Sequence, residues 1–545
     1  MLKALRYGLI LLAGIGVTTL MAANSRLHQP TVSSTTYTSF QEDTTKKIHI
    51  INADTMSLIT KDSVNERRFR GHVVFRQSTS ILNCDSAVFN QAKNEIEAWG
   101  HVHINQDDSI HTYSDYLIYM GNTRIATLIG NAKLTDNKIV LTSPEIQYDM
   151  NTKIGTYTRS GKLVNGKSVL TSQEGFYYAD TKDVYFKKDV VIVDPGFTLS
   201  TDTLLYNSTT KIATILAPTT INDGKMTMYV TDGYYNTDVG YGSFAKRPII
   251  EDSTNTFTAN EIQTDKATGI SVATGDMIWR DTAQKMSLLA NYGIVNQFTK
   301  TVLATRKPVM LLEGKTDTLF VAADTLFSGV IKADSTLADS ALIVTDSTAS
   351  ANKKDTTEKR FIIAYNHVKI FSDSLQGVAD SVYYSSVDSI FRLYQDPVLW
   401  ANGNQLTGDT IFLFTKNQKA DKLLLDQHAL IINEVGPGMY NQVKGNTVLG
   451  FFGEEKLDSM YVNGNAENIY YVQDDDSAFI SINRLLSAAT HIYFTNGELE
   501  RIVFLKEAEA VMYPFTQMPE EQKKLEGFKW VINRKPKSKY ELIGQ

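Results

Sequence analysis

The chain has 545 residues, with 54 Lys and Arg against 60 Asp and Glu and a formal net charge of −6. That balance excludes a protein that holds the phosphate backbone by counterion release, so no nucleic acid is expected as a partner. Hydrophobic residues at 42% suffice for a core, and the single cysteine, Cys84, rules out an internal disulfide framework and any cysteine-rich metal cluster.

Lys3 and Arg6 precede an apolar run from Gly8 to Ala23 that ends in small side chains. This is the anatomy of a signal sequence and is short for a membrane span, so 1–23 reads as an export signal to the periplasm, or as an anchor if cleavage near Ala22 or Ala23 fails. Residues 24–47, rich in Ser, Thr and Gln, read as a flexible leader, and the folded part is expected from Ile48.

From there the sequence repeats. An acidic or amide residue followed by apolar and aromatic positions recurs as Asp85-Ser-Ala-Val-Phe89, Asp115-Tyr-Leu-Ile-Tyr119, Glu145-Ile-Gln-Tyr148, Glu174-Gly-Phe-Tyr-Tyr178 and Asp202-Thr-Leu-Leu-Tyr206. It continues at Asp232, Glu261, Asn291, Asp324, Asp380 and Asp409, in steps of 28 to 33 residues with one of 56. Half a period away lies a second motif: Gly71-His-Val-Val-Phe75, Gly100-His-Val-His-Ile104, Gly130-Asn-Ala-Lys-Leu134, Gly275-Asp-Met-Ile-Trp279, Asn366-His-Val-Lys-Ile370 and Gln427-His-Ala-Leu-Ile431. Strict alternation with β-branched and aromatic residues, cut by Gly, Asn or Asp, signals short strands and tight turns. The expected fold class is all-β: an elongated repeat jellyroll or folded-over β-sheet trough, solenoid-like, with about 29 residues per repeat.

Alternation also assigns faces. Counting two and four residues past each acid puts Phe89, Leu117, Tyr119, Phe176, Tyr178, Leu204 and Tyr206 on one side, with Ile96, Val102 and Ile104 joining them from the intervening strands. These ten residues are the expected inward face.

The array is expected over 48–330 and 360–513. Residues 331–359, rich in Ser, Thr, Asp, Ala and Lys, read as a disordered insertion that takes the place where a repeat should start and splits the array in two. In 514–545 the β pattern stops; Met518 to Leu525 suggests one short helix, followed by a basic tail.

Catalytic motifs do not survive their context. Gly161-Lys-Leu-Val-Asn-Gly-Lys167-Ser168 fits the phosphate-binding loop pattern, but no helix follows and Asn165-Gly166 sits where a hairpin turn belongs. His101 and His103, with His111 near by, could place imidazoles on one strand face for a metal, but they alternate against Val102 and Ile104 and read as a solvent face rather than a metal site. An acid repeated at every turn is a turn or strand-start device, whereas a glycosidase pair occurs once. No cofactor, no metal and no enzymatic activity is expected.

The two motifs resemble those of the OstA-like family of periplasmic lipopolysaccharide-transport proteins, here in a long multi-repeat version. The resemblance covers about Ile48 to Ala510 and is clearest from Ile50 to Tyr235. It implies a hydrophobic β-trough cradling the acyl chains of lipid A, with the ten inward residues as lipid contacts, and joining of other lipopolysaccharide-transport proteins through exposed strand edges at the array ends. The alternative is a structural or adhesive β-solenoid of the cell envelope whose apolar wall is packed against itself.

Overall fold

A computed structural model describes residues 47–61, 64–314, 317–331, 358–417, 419–453, 456–474, 476–495 and 498–543. The expected export signal, the leader up to residue 46 and the insertion over 332–357 lie outside the described residues. Residues 46–545 form one unit. Among the described residues it is almost all β: 40 strands, antiparallel to their neighbours, join into one sheet.

Two strands make one repeat. Ser80–Asn90 and Glu95–Gln106 pair as a hairpin in which alternate residues are buried, as period-two patterning demands. Each such strand bends halfway. On Glu95–Gln106, Gly100 and His101 together oppose the single residue Asp115 of the next strand, because the register jumps between Trp99 and Val102. Both residues are left-handed, with φ of +75° and +45°. This bulge recurs at Gly71/His72, Gly130/Asn131, Gly275/Asp276, Asn366/His367 and Gln427/His428, which is the second sequence motif.

The recurrent acid is the other half of the bend. His101 Nδ1 lies 2.8 Å from Asp85 Oδ2, with equivalent contacts at His72 and Asp54, His367 and Asp324, and His428 and Asp409. Asn131 donates to Asp115 in the same way. The facing carboxylate raises the pKa of His72 and of His101 above the ordinary histidine value. Gly100 is required twice over: its φ favours glycine, and a Cβ there would sit 2.3 Å from Asp85 Oδ2.

Because every repeat bends at the same place, one half of each strand falls in one wall and the other half in a second wall facing it. Bent strands such as Asp183–Asp194 and Phe197–Asn207 belong to both walls. Between them the passes split, so that Gly161–Asn165 pairs with Ser168–Ser172 in one wall while Ile154–Tyr157 pairs with Glu174–Tyr178 in the other. Gly166, at φ +62°, turns the first of these hairpins, so the phosphate-loop lookalike is a β-turn. A continuous hydrophobic cluster fills the space between the walls from Phe69 to Ile492.

The lip opposite the bend is polar and closed by tyrosines 29 residues apart. Tyr119 donates to Gln77, Tyr148 donates to Gln106 at 2.7 Å, Tyr177 donates to Asp136 at 2.8 Å, and Asn165 donates to Tyr206 at 3.0 Å. Gln77, Gln106 and Asn165 also donate to the carbonyls of Gly121, Met150 and Ser208. Each rung therefore ties a repeat to a later one.

The insertion does not replace a repeat. Thr325–Val330 pairs with Arg360–Phe371 and the neck is shut by the Ile331 amide donating to Lys359 O at 2.8 Å, so the 56-residue step is an ordinary repeat with one lengthened hairpin. The sheet runs on across it. Past Pro514 the expected helix over Met518 to Leu525 is reduced to one 3-10 turn, Glu520–Gln522, and an α-helix forms only at Lys539–Ile543. This tail turns back across the outer face of the preceding strands rather than adding to the sheet.

Two outcomes test this account. Gly100→Ala is expected to cost about 1–3 kcal/mol in chemical unfolding, and less in an Asp85→Ala background, since the substitution forces strain and a clash with that carboxylate; additive penalties would contradict it. Burial of Asp136 favours its neutral form, yet hydrogen bonds from Lys182, the Ile139 and Lys138 amides and Tyr177 outweigh this and hold its pKa down at about 2, below the usual 3.8. Its contribution is therefore complete above the unfolded value and lost as pH falls from there toward 2, so Asp136→Asn is expected to flatten the acid limb of the stability profile.

Candidate functional site

The ten expected inward residues divide into two groups. Phe89, Ile96, Val102, Ile104, Leu117, Tyr119, Leu204 and Tyr206 point between the walls, none more than 6% exposed. Phe176 and Tyr178 do not. On Glu174–Tyr178 the buried positions are Gly175 and Tyr177, while Phe176 lies half-buried on the outer face beside Tyr185 and Tyr178 is exposed. The reason is a one-residue slip: the bend in this repeat falls at Gln173, whose amide donates to Lys188 O, and not at Glu174, so counting from the acid inverts the face.

The interior around the eight is filled. Beside Phe75, Leu82, Ile96, Ile104 and Tyr119 it holds a void of only 20 Å³. The Tyr119 and Tyr206 hydroxyls are committed to Gln77 and Asn165, while the buried Ser80 and Thr112 hydroxyls have no partner among the described residues but face no space large enough for a ligand. His101 and His103 sit on the outside, His101 at its corner and His103 stacked on Tyr113 and 3.2 Å from His111. Among the described residues no three histidine, cysteine or acidic groups converge as metal ligands.

The last repeats differ. A ladder of paired inward residues runs along one wall through Leu141, Leu163, Leu170, Ile192 and Leu199, and is still apolar at Leu406, Ile431 and Val443. The next rung is Asn468. Beside it, Asn404, Asn433 and Asn441 form a paired row of carboxamides at the lip. Across the gap Met460, Ile492 and Ile502 make an apolar wall backed by Phe494 and Phe504, and Gly450 contributes no side chain next to Met460.

The result is a cavity of about 480 Å³, within the ~300–1,000 Å³ range of ligand sites. A second space of about 410 Å³ adjoins it at Asn402, floored by Leu319, Leu375, Leu413 and Phe452 and rimmed by Asp317, Asp373, Lys419, Lys456 and Lys535. Asn468 is 2% exposed; its amide nitrogen donates to Thr490, while its Oδ1 has no partner among the described residues. A buried acceptor without a donor is costly, and Asn468 is one of the residues that line the cavity. This is an amphipathic site with an apolar wall and a neutral hydrogen-bonding wall, and it holds no paired nucleophile and base. Sequence reasoning missed it; the signal was Asn468 at a ladder position held by Val443, Ile431 and Leu406 on the preceding strands, next to a lip where Asn404, Asn433 and Asn441 follow one another.

Residues 45–202 match the family described as OstA-like protein. Over this region the chain is similar to that family. A solved structure similar to it is LptH, the LptA homologous periplasmic component of the conserved lipopolysaccharide transport device from Pseudomonas aeruginosa. The identity is 22% over 21% of this chain and 82% of that one, with a TM-score of 0.19, too low for the superposition to carry an argument. No curated protein matches the chain. The OstA-like region ends before the cavity, which is built from strands after residue 400.

Replacing Asn468 by Leu removes an unsatisfied acceptor from a ladder whose preceding rungs, Leu406, Ile431 and Val443, are apolar. Its thermal midpoint is expected to equal or exceed that of the parent; a drop comparable to that of a core truncation would show that the carboxamide is structurally required.

Proposed function

We propose that the chain is a non-enzymatic carrier of an amphipathic envelope lipid, with lipopolysaccharide as the cargo and the cavity of the last repeats as the site that shields its acyl chains in transit to the outer membrane. The observation that carries this reading is the change of interior: filled with side chains through the OstA-like region, then open and two-sided where Asn468 interrupts the ladder. An acyl chain against Met460, Ile492 and Phe494 gains about 0.8 kcal/mol per methylene removed from water. The carboxamides suit the amide and ester linkages at the root of such chains, and the lysines at the rim of the adjoining space suit an anionic head group.

The repeats before the cavity serve as a rigid extension rather than a conduit. Both sheet ends support docking to partner carriers by strand addition. At one end Met56 and Leu58 of Thr55–Lys61 are 64% and 63% exposed; at the other, Val511 and Met512 of Glu509–Pro514 are 53% and 68% exposed. A closed-core scaffold is the second reading, favoured by the 20 Å³ void among the OstA-like repeats. It gives no account of the cavity.

Ile502→Trp, which fills the cavity, is expected to lower capture of a fluorescent lipopolysaccharide by about tenfold without lowering the melting temperature, ~1.4 kcal/mol of binding. Phe89→Ala is expected to cost about 3–5 kcal/mol of stability while leaving capture per folded molecule unchanged. The opposite pattern would place the cargo in the earlier repeats.

A further inference from the structure

Some strands in the second half of the chain are buried on both faces. Val398–Ala401 is buried at all four positions and Asn404–Thr407 at three, unlike the alternation of the early repeats. The outward residues are covered by the tail. Met518, Leu525, Phe528 and Trp530 pack on Leu430, Ile432 and Tyr471; Val531 packs on Val398 and Trp400; Leu542 packs on Val309 and Phe320.

Two fully buried glutamines read the tail's backbone. Gln442 donates to Lys523 O and accepts from the Leu525 amide, both at 2.8 Å. Gln405 donates to Lys529 O at 2.6 Å and accepts from the Val531 amide at 2.8 Å. Three ion pairs with exposed members add to this: Lys444 with Glu526, Arg534 with Asp396, and Lys369 with Glu541.

Among the described residues, one backbone hydrogen bond joins the tail to the sheet, from the Phe515 amide to Ile480 O; the tail's other backbone hydrogen bonds are local. The tail can therefore leave without breaking any strand ladder, the condition for a local opening well below the cost of global unfolding. Part of what it covers, the strands of Ile432, Gln442 and Ile469, lines the cavity on the inner face. Gln442 and Ile469 lie in that shared wall, and Lys535 of the tail stands at the rim of the adjoining space.

We propose that residues 515–543 form a releasable strap: docked, it braces the outer wall of the cavity and places Lys535 at its entrance; released, it lets that wall relax and admit or discharge cargo. The gating half of this proposal rests on the carrier reading above. Release is favoured by salt, which screens the three ion pairs.

Native-state hydrogen exchange decides the release. The Leu525 and Val531 amides are expected to open at least about tenfold more often than those of Leu424 and Leu430 in the strand beneath, and more often still at high salt. Exchange of all four in a single step would overturn the proposal. For gating, Lys369→Cys and Glu541→Cys, joined by a short bismaleimide in a Cys84→Ser background, are expected to slow entry of dansyl-undecanoic acid about tenfold relative to the unlinked protein. Equal entry rates overturn it. If neither form takes up the probe, the carrier reading fails and the gating half with it, while exchange still rules on the strap.

Discussion

Everything in this molecule depends on a bend that the chain makes in every repeat. Two consecutive left-handed residues oppose one residue of the neighbouring strand, and the acid across the corner has room only because the first of the pair is often glycine, as at Gly71, Gly100 and Gly130. A flat antiparallel sheet would expose one apolar face along its whole length. Bending each strand at the same place turns that face onto itself, so one sheet supplies both walls of its own core. The tyrosine rungs at the lip then close the other side and satisfy polar groups that would otherwise be stranded there.

Once the two walls face each other, what lies between them is decided rung by rung. Leu, Ile, Val and Ala on paired strands interdigitate and leave little space, which is the state of the interior in the early repeats. Carboxamides at Asn433, Asn441 and Asn468 cannot interdigitate with Ile492 and Ile502 without losing hydrogen bonds, and there the walls stand apart. The same architecture thus provides a stiff, dry extension and, at its end, a cavity with one apolar and one polar side. Fold alone does not distinguish these two; the residues on a few rungs do.

Much of this was legible in the sequence. The 29-residue period and the all-β class follow from spacing, because a bend that must recur at every pass imposes its residues on every pass; the recurrent acid, expected at turns or strand starts, stands instead at a mid-strand corner, as Asp85 does within Ser80–Asn90. The inward side of Leu117, Tyr119 and Leu204 follows from alternation. It failed at Phe176 and Tyr178, where Glu174 stands one place past the true corner at Gln173 and the face inverts. The expected split of the array at the insertion fails because spacing alone cannot show that the flanking strands, Thr325–Val330 and Arg360–Phe371, pair with each other. The tail's role was illegible, since it lies in contacts to residues such as Gln405, 124 positions away, and no local pattern announces them. The cavity was missed because it arises where a ladder of apolar rungs stops, a property of cross-strand pairing and not of any one strand.

The central claim is that cargo occupies the last repeats and not the whole interior. Photo-crosslinking in the native envelope tests it most directly, with p-benzoylphenylalanine placed singly at Phe494, Phe504, Leu117 or Leu204. The account predicts lipopolysaccharide adducts at Phe494 and Phe504 and none at Leu117 or Leu204. Adducts at Leu117 and Leu204, or none at the cavity positions of a folded protein, would contradict it.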